Sequence, residues 1–191
     1  METLTLAAVD GIERGKAGEA AAGPEPFESL MRRHERLVIG VALRLLGNME
    51  DAKDASQEVF LRLYRNLDRA GRLDNLAGWL YRVTVNVCRD AHRRRGQGGP
   101  VPVEDAAQVA DTADDPQQSL TARERRTMLE RGLRMLPEKE RAALVLRDLE
   151  GLSTAEVAAA LGSAEATVRS QIAKARIKMK GFLEGYGRRR T

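Results

Sequence analysis

The segment GQGGPVPVEDAAQVADTADDPQQS, residues 96–119, constrains the fold of this chain more than any other feature. It is rich in Gly, Pro and small residues, carries five Asp or Glu residues, and contains no Lys or Arg. Such a segment cannot bury enough apolar surface to offset the conformational entropy that it would lose on ordering. We therefore expect a flexible acidic linker between two folded blocks, 27–95 and 120–183, with a flexible tail at 1–26 and a basic tail at 184–191.

Both blocks have hydrophobic residues at helical spacing, and neither shows strand-like alternation of any length. Aromatic residues make up only 4% of the chain, so the cores must be built from Leu, Val, Ile and Ala, which suits helices. The pattern predicts an all-α fold. It places three helices in the first block, at 27–46, 49–67 and 76–95, and four in the second, at 120–135, 137–150, 153–161 and 164–180.

The ends of these helices carry specific signals. Gly47 can end the first helix and Asn48 can cap the second. Ser153 is followed three residues later by Glu156, which is the pattern of a capping box. The short Ala-rich helix after Ser153 ends near Gly162, and a longer amphipathic helix follows. A small-residue helix, a Gly-containing turn and a second helix are typical of a helix-turn-helix.

Composition excludes several kinds of protein. The single cysteine, Cys88, excludes an internal disulfide and favours a reducing compartment. One cysteine and two histidines cannot complete a zinc site without carboxylates. No apolar run approaches the roughly 20 residues that a membrane span needs, and residues 1–26 lack the pattern of a secretory signal. We expect a cytoplasmic protein with no membrane insertion, no metal and no cofactor.

Two helices present basic and polar residues on the side away from their apolar stripe, and the net charge of +4 makes nucleic acid a reasonable partner where charge clusters. In the last helix the outward residues are Glu165, Ala166, Arg169, Ser170, Ala173 and Lys174. In the third helix they are Arg82, Asn86, Arg89 and Arg93. Arg and Asn can bind phosphates and base edges, whereas the alternative is a solvated basic face. Trp79 can stack on a base, but core packing is favoured.

The second helix has a different outer side. Asp51, Asp54, Gln57 and Glu58 lie beside Phe60 and Leu61, which fall off the inner stripe. Carboxylates repel DNA, and their combination with exposed apolar side chains suits a protein partner. A solvated acidic face would explain the carboxylates but not both apolar residues.

Three segments together carry a resemblance to a known family. They are DAKDASQEVFLRLYRNL (51–67), GWLYRVTVNVCRDAHRRR (78–95) and LPEKERAALVLRDLEGLSTAEVAAALGSAEATVRSQIAKARIKMK (136–180). In this order, around an acidic linker, they resemble the conserved segments of bacterial RNA polymerase sigma factors, in particular the small extracytoplasmic-function (ECF) group of the sigma-70 family. That group keeps sigma domain 2, a three-helix bundle, and sigma domain 4, a four-helix bundle with a helix-turn-helix.

The resemblance implies a role for each block. Core polymerase, through its β′ clamp helices, would be bound by Asp51, Asp54, Gln57, Glu58, Phe60 and Leu61. The minus-ten promoter element would be held by Asn66, Asp68, Arg69, Trp79, Arg82, Asn86, Arg89 and Arg93. The minus-thirty-five element would be read by Glu165, Ala166, Thr167, Arg169, Ser170, Lys174 and Arg176, while their domain sits on the β flap. The linker would thread the RNA path of the polymerase.

Two other classes of function remain as alternatives. A stand-alone helix-turn-helix regulator would bind DNA without polymerase and would have no use for the outer side of the second helix. An enzyme is a poor fit, because the chain has no Gly-rich phosphate loop, no metal-ligand cluster and no nucleophile paired with a base. The ECF resemblance implies instead a non-catalytic initiation factor that binds promoter DNA and is controlled by an anti-sigma protein.

Overall fold

The computed structural model describes residues 25–67, 73, 75–96 and 116–188, and their side chains except at 95, 96, 116–123, 187 and 188. Every regular element in these residues is helical. The helices are α1 (Phe27–Leu46), α2 (Met49–Arg65), α3 (Leu76–Gly96), α4 (Pro116–Arg134), α5 (Glu138–Leu144), α6 (Thr154–Leu161) and α7 (Glu165–Arg188); a π-helical turn, Val145–Leu149, continues α5.

The predicted all-α architecture is confirmed, but the bounds of the last helix are corrected: α7 continues to Arg188, eight residues past its predicted end and into the predicted basic tail 184–191. α1 has the predicted bounds, and α4 begins four residues before its predicted start. The predicted helix 137–150 is instead α5 followed by the π-helical turn, in which one extra residue per turn changes the direction of the side chains. The predicted tail 1–26 and acidic linker lie almost wholly outside the described residues.

α1, α2 and α3 form the first bundle, because each buries a stripe of aliphatic residues against the other two. The most deeply buried members of this core are Val38, Val41, Val59, Leu63 and Leu80. The turn between α1 and α2 uses the predicted residues. Gly47 adopts the left-handed conformation with φ 82° and donates its N–H to Leu43 O, while Asn48 Oδ1 accepts from the Asp51 N–H at 2.9 Å.

α4 to α7 form the second bundle, in which α7 packs against α4, α5 and α6. Its predicted apolar stripe is confirmed, since Val168, Ile172, Ala175 and Met179 are all buried. α4 crosses α7 closely at Gly132, where an added Cβ would lie 2.8 Å from Met179 Cε. None of the helices in the described part of the chain is both long and apolar enough to cross a membrane.

The two bundles also pack against each other. α3 lies on α6, and α1 contacts α4, α5 and the π-helical turn, so that the buried residues form one hydrophobic cluster. Helix patterns within each block do not predict this arrangement, because the residues that meet are far apart in the chain.

Candidate nucleic-acid interface and partner surface

The helix-turn-helix is built by α6 and α7, and local chemistry fixes both ends of α6. Ser153 Oγ accepts from the Glu156 N–H at 3.2 Å, and Glu156 Oε2 accepts from the Ser153 N–H at 2.7 Å, which confirms the predicted capping box. Hydrogen bonds that the Ser153 hydroxyl and the Ser153 backbone N–H donate to the Glu156 carboxylate lower the pKa of that group. At the other end Gly162 has φ 61°, a left-handed conformation that ends the helix and allows α7 to begin three residues later.

The outer face of α7 is open to solvent. We use the name reading face for Glu165, Ala166, Thr167, Arg169, Ser170 and Lys174, all of which are exposed. Arg169 Nη1 donates to Glu165 Oε2 at 3.0 Å within this face. Val168 and Ile172 anchor the opposite side in the core. The structure therefore brings six of the seven predicted minus-thirty-five residues together on one accessible helix face.

Arg176, the seventh, has a different environment. Its guanidinium makes two hydrogen bonds to Asp148, from Nε to Oδ2 at 2.9 Å and from Nη2 to Oδ1 at 2.6 Å. The hydrogen bonds to Asp148 raise the pKa of Arg176. A bidentate pair fixes an Arg side chain geometrically, and here it ties α7 to the π-helical turn. DNA binding by Arg176 stays a prediction.

The predicted minus-ten residues are less accessible. Arg82, Asn86 and Arg89 of α3 are half-buried, and Arg93 is exposed beside Asp90. Arg89 Nε lies 3.3 Å from Glu138 Oε1 in the second bundle. Trp79 is 6% exposed, so the favoured core packing is confirmed.

The loop before α3 is only partly described. Asp68 and Arg69 lie outside the described residues. Asn66 follows α2 and donates from Nδ2 to Arg62 O at 2.8 Å. Asn75 caps α3, because its Oδ1 accepts from the Gly78 N–H at 2.7 Å. The two Asn side chains therefore hold the helix ends on either side of the loop that is predicted to capture a base.

The outer side of α2 carries carboxylates and apolar side chains together, but with one correction. Phe60 is only 7% exposed, so its predicted exposure is wrong: α2 is covered by both α1 and α3, which widens its buried face. Leu61 is 49% exposed and Tyr64, which the sequence reading missed, is 62% exposed. The spacing of Leu61 and Tyr64 by three residues is the signal that could have found Tyr64.

The same outer side of α2 also carries the four predicted polar side chains. Asp54 and Gln57 are exposed, while Asp51 and Glu58 are half-buried. Glu58 Oε1 accepts from Arg62 Nε at 2.7 Å. The Tyr64 ring meets Phe27 of α1 edge to face, with centroids 5.3 Å apart, which holds the ring in place at the surface. Exposed carboxylates next to an aromatic ring that is fixed at the surface suit a protein partner better than nucleic acid.

Comparison with known proteins finds matches for both bundles of the chain. The model of Sigma-70 region 2 matches residues 30–98, and that of Sigma-70 region 4 matches residues 126–179. The ECF RNA polymerase sigma factor SigE of Mycolicibacterium smegmatis is 37% identical over 167 residues, which cover 87% of this chain and 64% of SigE. SigM of Mycobacterium tuberculosis is 34% identical over 170 residues, which cover 89% of this chain and 83% of SigM.

Solved structures show the same fold. The sigma factor RpoE of Bartonella quintana, in complex with the anti-sigma factor NepR, has a TM-score of 0.67 at 22% identity, over 83% of this chain and 96% of that one. CnrH, in complex with the cytosolic domain of CnrY, has a TM-score of 0.56 at 25% identity, over 83% of this chain and 88% of CnrH.

Proposed function

Because the chain belongs to the ECF RNA polymerase sigma factors, we propose that it binds core RNA polymerase and directs it to promoters. The first bundle docks on the β′ clamp helices and holds the minus-ten element, while the second bundle sits on the β flap and reads the minus-thirty-five element. The protein performs no catalysis. It drives DNA opening with binding energy, which must offset a few kcal/mol for each base that leaves the stack.

The observation that carries this proposal is the contrast between two exposed helix faces in one chain. The outer side of α2 joins Asp54 and Gln57 to exposed Leu61 and Tyr64, whereas the reading face of α7 is basic and polar. A protein-binding face and a DNA-binding face on separate bundles are what a subunit needs to link an enzyme to DNA. The matches to regions 2 and 4 follow the same order along the chain.

We further propose that an anti-sigma protein controls this chain. The membership of the ECF group supports this, together with the structure of the neighbour RpoE of Bartonella quintana, which was solved in complex with the anti-sigma factor NepR. The partner would have to cover the outer side of α2, the reading face, or both.

The test is co-purification with core polymerase followed by transcription from a promoter library. The double variant Asp54→Ala with Gln57→Ala should lose core binding at least tenfold, because 1.4 kcal/mol of lost contact is already a factor of about ten. Circular dichroism should show an unchanged helix content. Glu35→Ala, at an exposed carboxylate of α1 on the same bundle, is the matched control and should bind core normally.

A stand-alone regulator predicts the opposite result. It would bind a specific duplex tightly without polymerase, and the Asp54→Ala with Gln57→Ala variant would behave as the wild-type chain does. Transcription that does not depend on the added chain would also contradict the proposal.

A further inference from the structure

We propose that Arg176 is a positioning residue: its ion pair with Asp148 fixes the rotation of α7 about its own axis, so that the reading face meets the base edges of its promoter element. Arg176 acts on recognition through Asp148 and not by contact with DNA. This inference rests on the proposed function, since it assumes that α7 reads the minus-thirty-five element.

Arg176 lies on the same edge of α7 as Arg169 of the reading face. It follows Arg169 by seven positions, which in an α-helix is about 10.5 Å along the axis and within about 20° of the same direction. The partners of the two guanidinium groups differ, however. Arg169 is paired with Glu165 of its own helix, whereas Arg176 is paired with Asp148 of another element. A rotation of α7 that moves Arg169 must therefore also move Arg176 against Asp148.

A second ion pair holds the other side of α7. Lys178 Nζ donates to Glu140 Oε1 of α5 at 2.9 Å. Residues two apart on a helix point about 200° away from each other, so Arg176 and Lys178 flank the buried stripe of α7 on its two sides. Both carboxylates belong to one continuous stretch, α5 with its π-helical turn. We call these two pairs, Arg176 with Asp148 and Lys178 with Glu140, the clasps.

The π-helical turn sets the direction of Asp148. The Glu150 N–H donates to Val145 O at 3.0 Å, five positions back along the chain, which is the π-helical pattern. Such turns are rare and occur frequently at functional sites, because the extra residue redirects the side chains within the turn. Here the redirected side chain is Asp148, and both of its carboxylate oxygens accept from Arg176. A two-point contact of this geometry leaves the guanidinium little freedom.

Small rotations of α7 are large enough to disturb base recognition. Side chains extend to about 6 Å from a helix axis, so a rotation of about 10° moves their ends by roughly 1 Å. Binding groups must be held to within about 0.5 Å of their productive position. The buried stripe determines which side of α7 faces the core, but aliphatic contacts are non-directional. Hydrogen bonds of 2.6 and 2.9 Å to Asp148 are directional, and a movement of that size would break them.

The pair of Arg176 with Asp148 is less suited to two other roles. The side chains are 58% and 29% exposed, and an exposed ion pair contributes little to the free energy of folding. Two N–H groups of the guanidinium are already taken by Asp148, and the neighbouring carboxylate would repel a phosphate. The positioning of α7 therefore accounts for this pair better than stability or phosphate binding does.

The experiment uses holoenzyme reconstituted with the full chain and two DNA duplexes. The specific duplex carries the minus-thirty-five element that the wild-type chain selects from the promoter library, and the scrambled duplex has the same length and composition. Fluorescence anisotropy gives the Kd for each duplex at several salt concentrations. The ratio of the two Kd values measures base recognition, and the dependence of Kd on salt measures the number of phosphate contacts.

Asp148→Asn and Glu140→Gln should each lower the affinity for the specific duplex about five- to tenfold, which is the scale of one weakened base contact. The affinity for the scrambled duplex should change by about twofold or less. Both variants make the chain more basic, so a purely electrostatic effect on DNA binding would have the opposite sign. Glu130→Gln, which removes the same charge from α4 at a residue outside the clasps, is the matched control and should keep both affinities.

Arg176→Gln should cause the same loss as Asp148→Asn, and the double variant should be no worse than either single one, because all three break one pair. The salt dependence should stay as it is in the wild-type chain, whereas the loss of a phosphate contact would lower its slope by about one. Lys180→Gln is the control for this change. It removes the same charge from α7 at a residue whose ion pair, with Glu184 at 3.8 Å, lies within the helix.

The outcomes separate the two proposals. If Asp148→Asn leaves the specific affinity unchanged or raises it, or if Arg176→Gln lowers the salt slope by about one, the positioning role is overturned and the proposed function stands. The same conclusion follows if the losses of Asp148→Asn and Arg176→Gln add up in the double variant, or if a control loses as much affinity as the clasp variants. If the wild-type chain neither binds core nor selects an element from the library, the proposed function is overturned.

Discussion

α3 and α7 are both predicted to bind DNA, but they differ in how exposed their predicted DNA-binding residues are. The reading face of α7 is exposed, and the ion pair of Glu165 with Arg169 is internal to the face. On α3, Arg82 and Arg89 are half-buried, and Arg89 is paired with Glu138 of the other bundle. Residue spacing therefore identifies the side of a helix that faces away from its own bundle, but not whether another part of the chain covers that side.

Two elements of the second bundle produce this difference: α6 packs on α3 as well as on α7, and Glu138 of α5 pairs with Arg89. The buried alanines of α6, Ala158 and Ala160, allow close packing, and Ala160 also lines a cavity beside α3. The α6–α7 contact belongs to the helix-turn-helix, whereas the α6–α3 contact joins the two bundles. Changes that act on one contact and spare the other therefore test whether α3 and α7 are independent.

The largest effect is expected from Arg141, which supports the second bundle and caps α1. Its guanidinium donates to Leu45 O of α1 at 2.6 Å, to Leu136 O at 3.0 Å and to Arg134 O at 3.2 Å, and the residue is only 7% exposed. Arg141→Met removes these donors and leaves buried carbonyls unsatisfied, each at a cost of about 1 to 3 kcal/mol. We expect the free energy of unfolding to fall by roughly 3 kcal/mol or more in urea titrations.

Lys139→Met is the control for this change. Lys139 is an exposed cation of the same helix, and its replacement should alter the stability by about 0.5 kcal/mol or less. A loss for Arg141→Met no larger than that of the control would mean that the hydrogen bonds of Arg141 to α1 and within the second bundle do not stabilise the folded protein.

The next effect distinguishes α7 from α3 directly. In the reconstituted holoenzyme, Arg169→Ala should weaken binding of a duplex that carries only the minus-thirty-five element by about 1 to 3 kcal/mol, as expected for an Arg that binds a base edge. Arg89→Ala should leave this binding unchanged, because α3 is expected to hold the other element. Equal losses for the two variants in a fluorescence-anisotropy titration would contradict the division of labour between the helices.

Local features of the sequence predicted the helices well. The bounds of α1, the turn at Gly47 and the capping box of Ser153 with Glu156 agree with the structure, because periodicity and capping depend on residues within a few positions. The stripe from Val168 to Met179 was predictable for the same reason.

Features that depend on the packing of distant segments were not predictable. Nothing local separates Arg141, which is buried, from Lys139, which is exposed two residues earlier. The burial of Phe60 depends on α2 being covered from two sides, and the ion pair of Arg44 with Glu150 joins residues that are 106 positions apart. The reading face, by contrast, was predictable from the sequence, because it depends only on the period of one helix.

The smallest effect concerns the start of α6, the helix that α3 and α7 share. Ser153→Ala should lower the free energy of unfolding by about 1 kcal/mol, because it removes the acceptor of the Glu156 N–H. Hydrogen bonds from Ser153 lower the pKa of Glu156 in the folded state. The ionised carboxylate therefore stabilises the fold fully at pH values above its ordinary pKa of 4.5. This contribution is lost as the pH falls through the lower pKa of the folded state. Since the Ser153 hydroxyl is the first cause of that shift, the difference in stability between Ser153→Ala and the wild-type chain should shrink as the pH falls from 6 toward 3. A difference that stays constant in urea titrations over this range would show that the ionisation of Glu156 does not strengthen the cap.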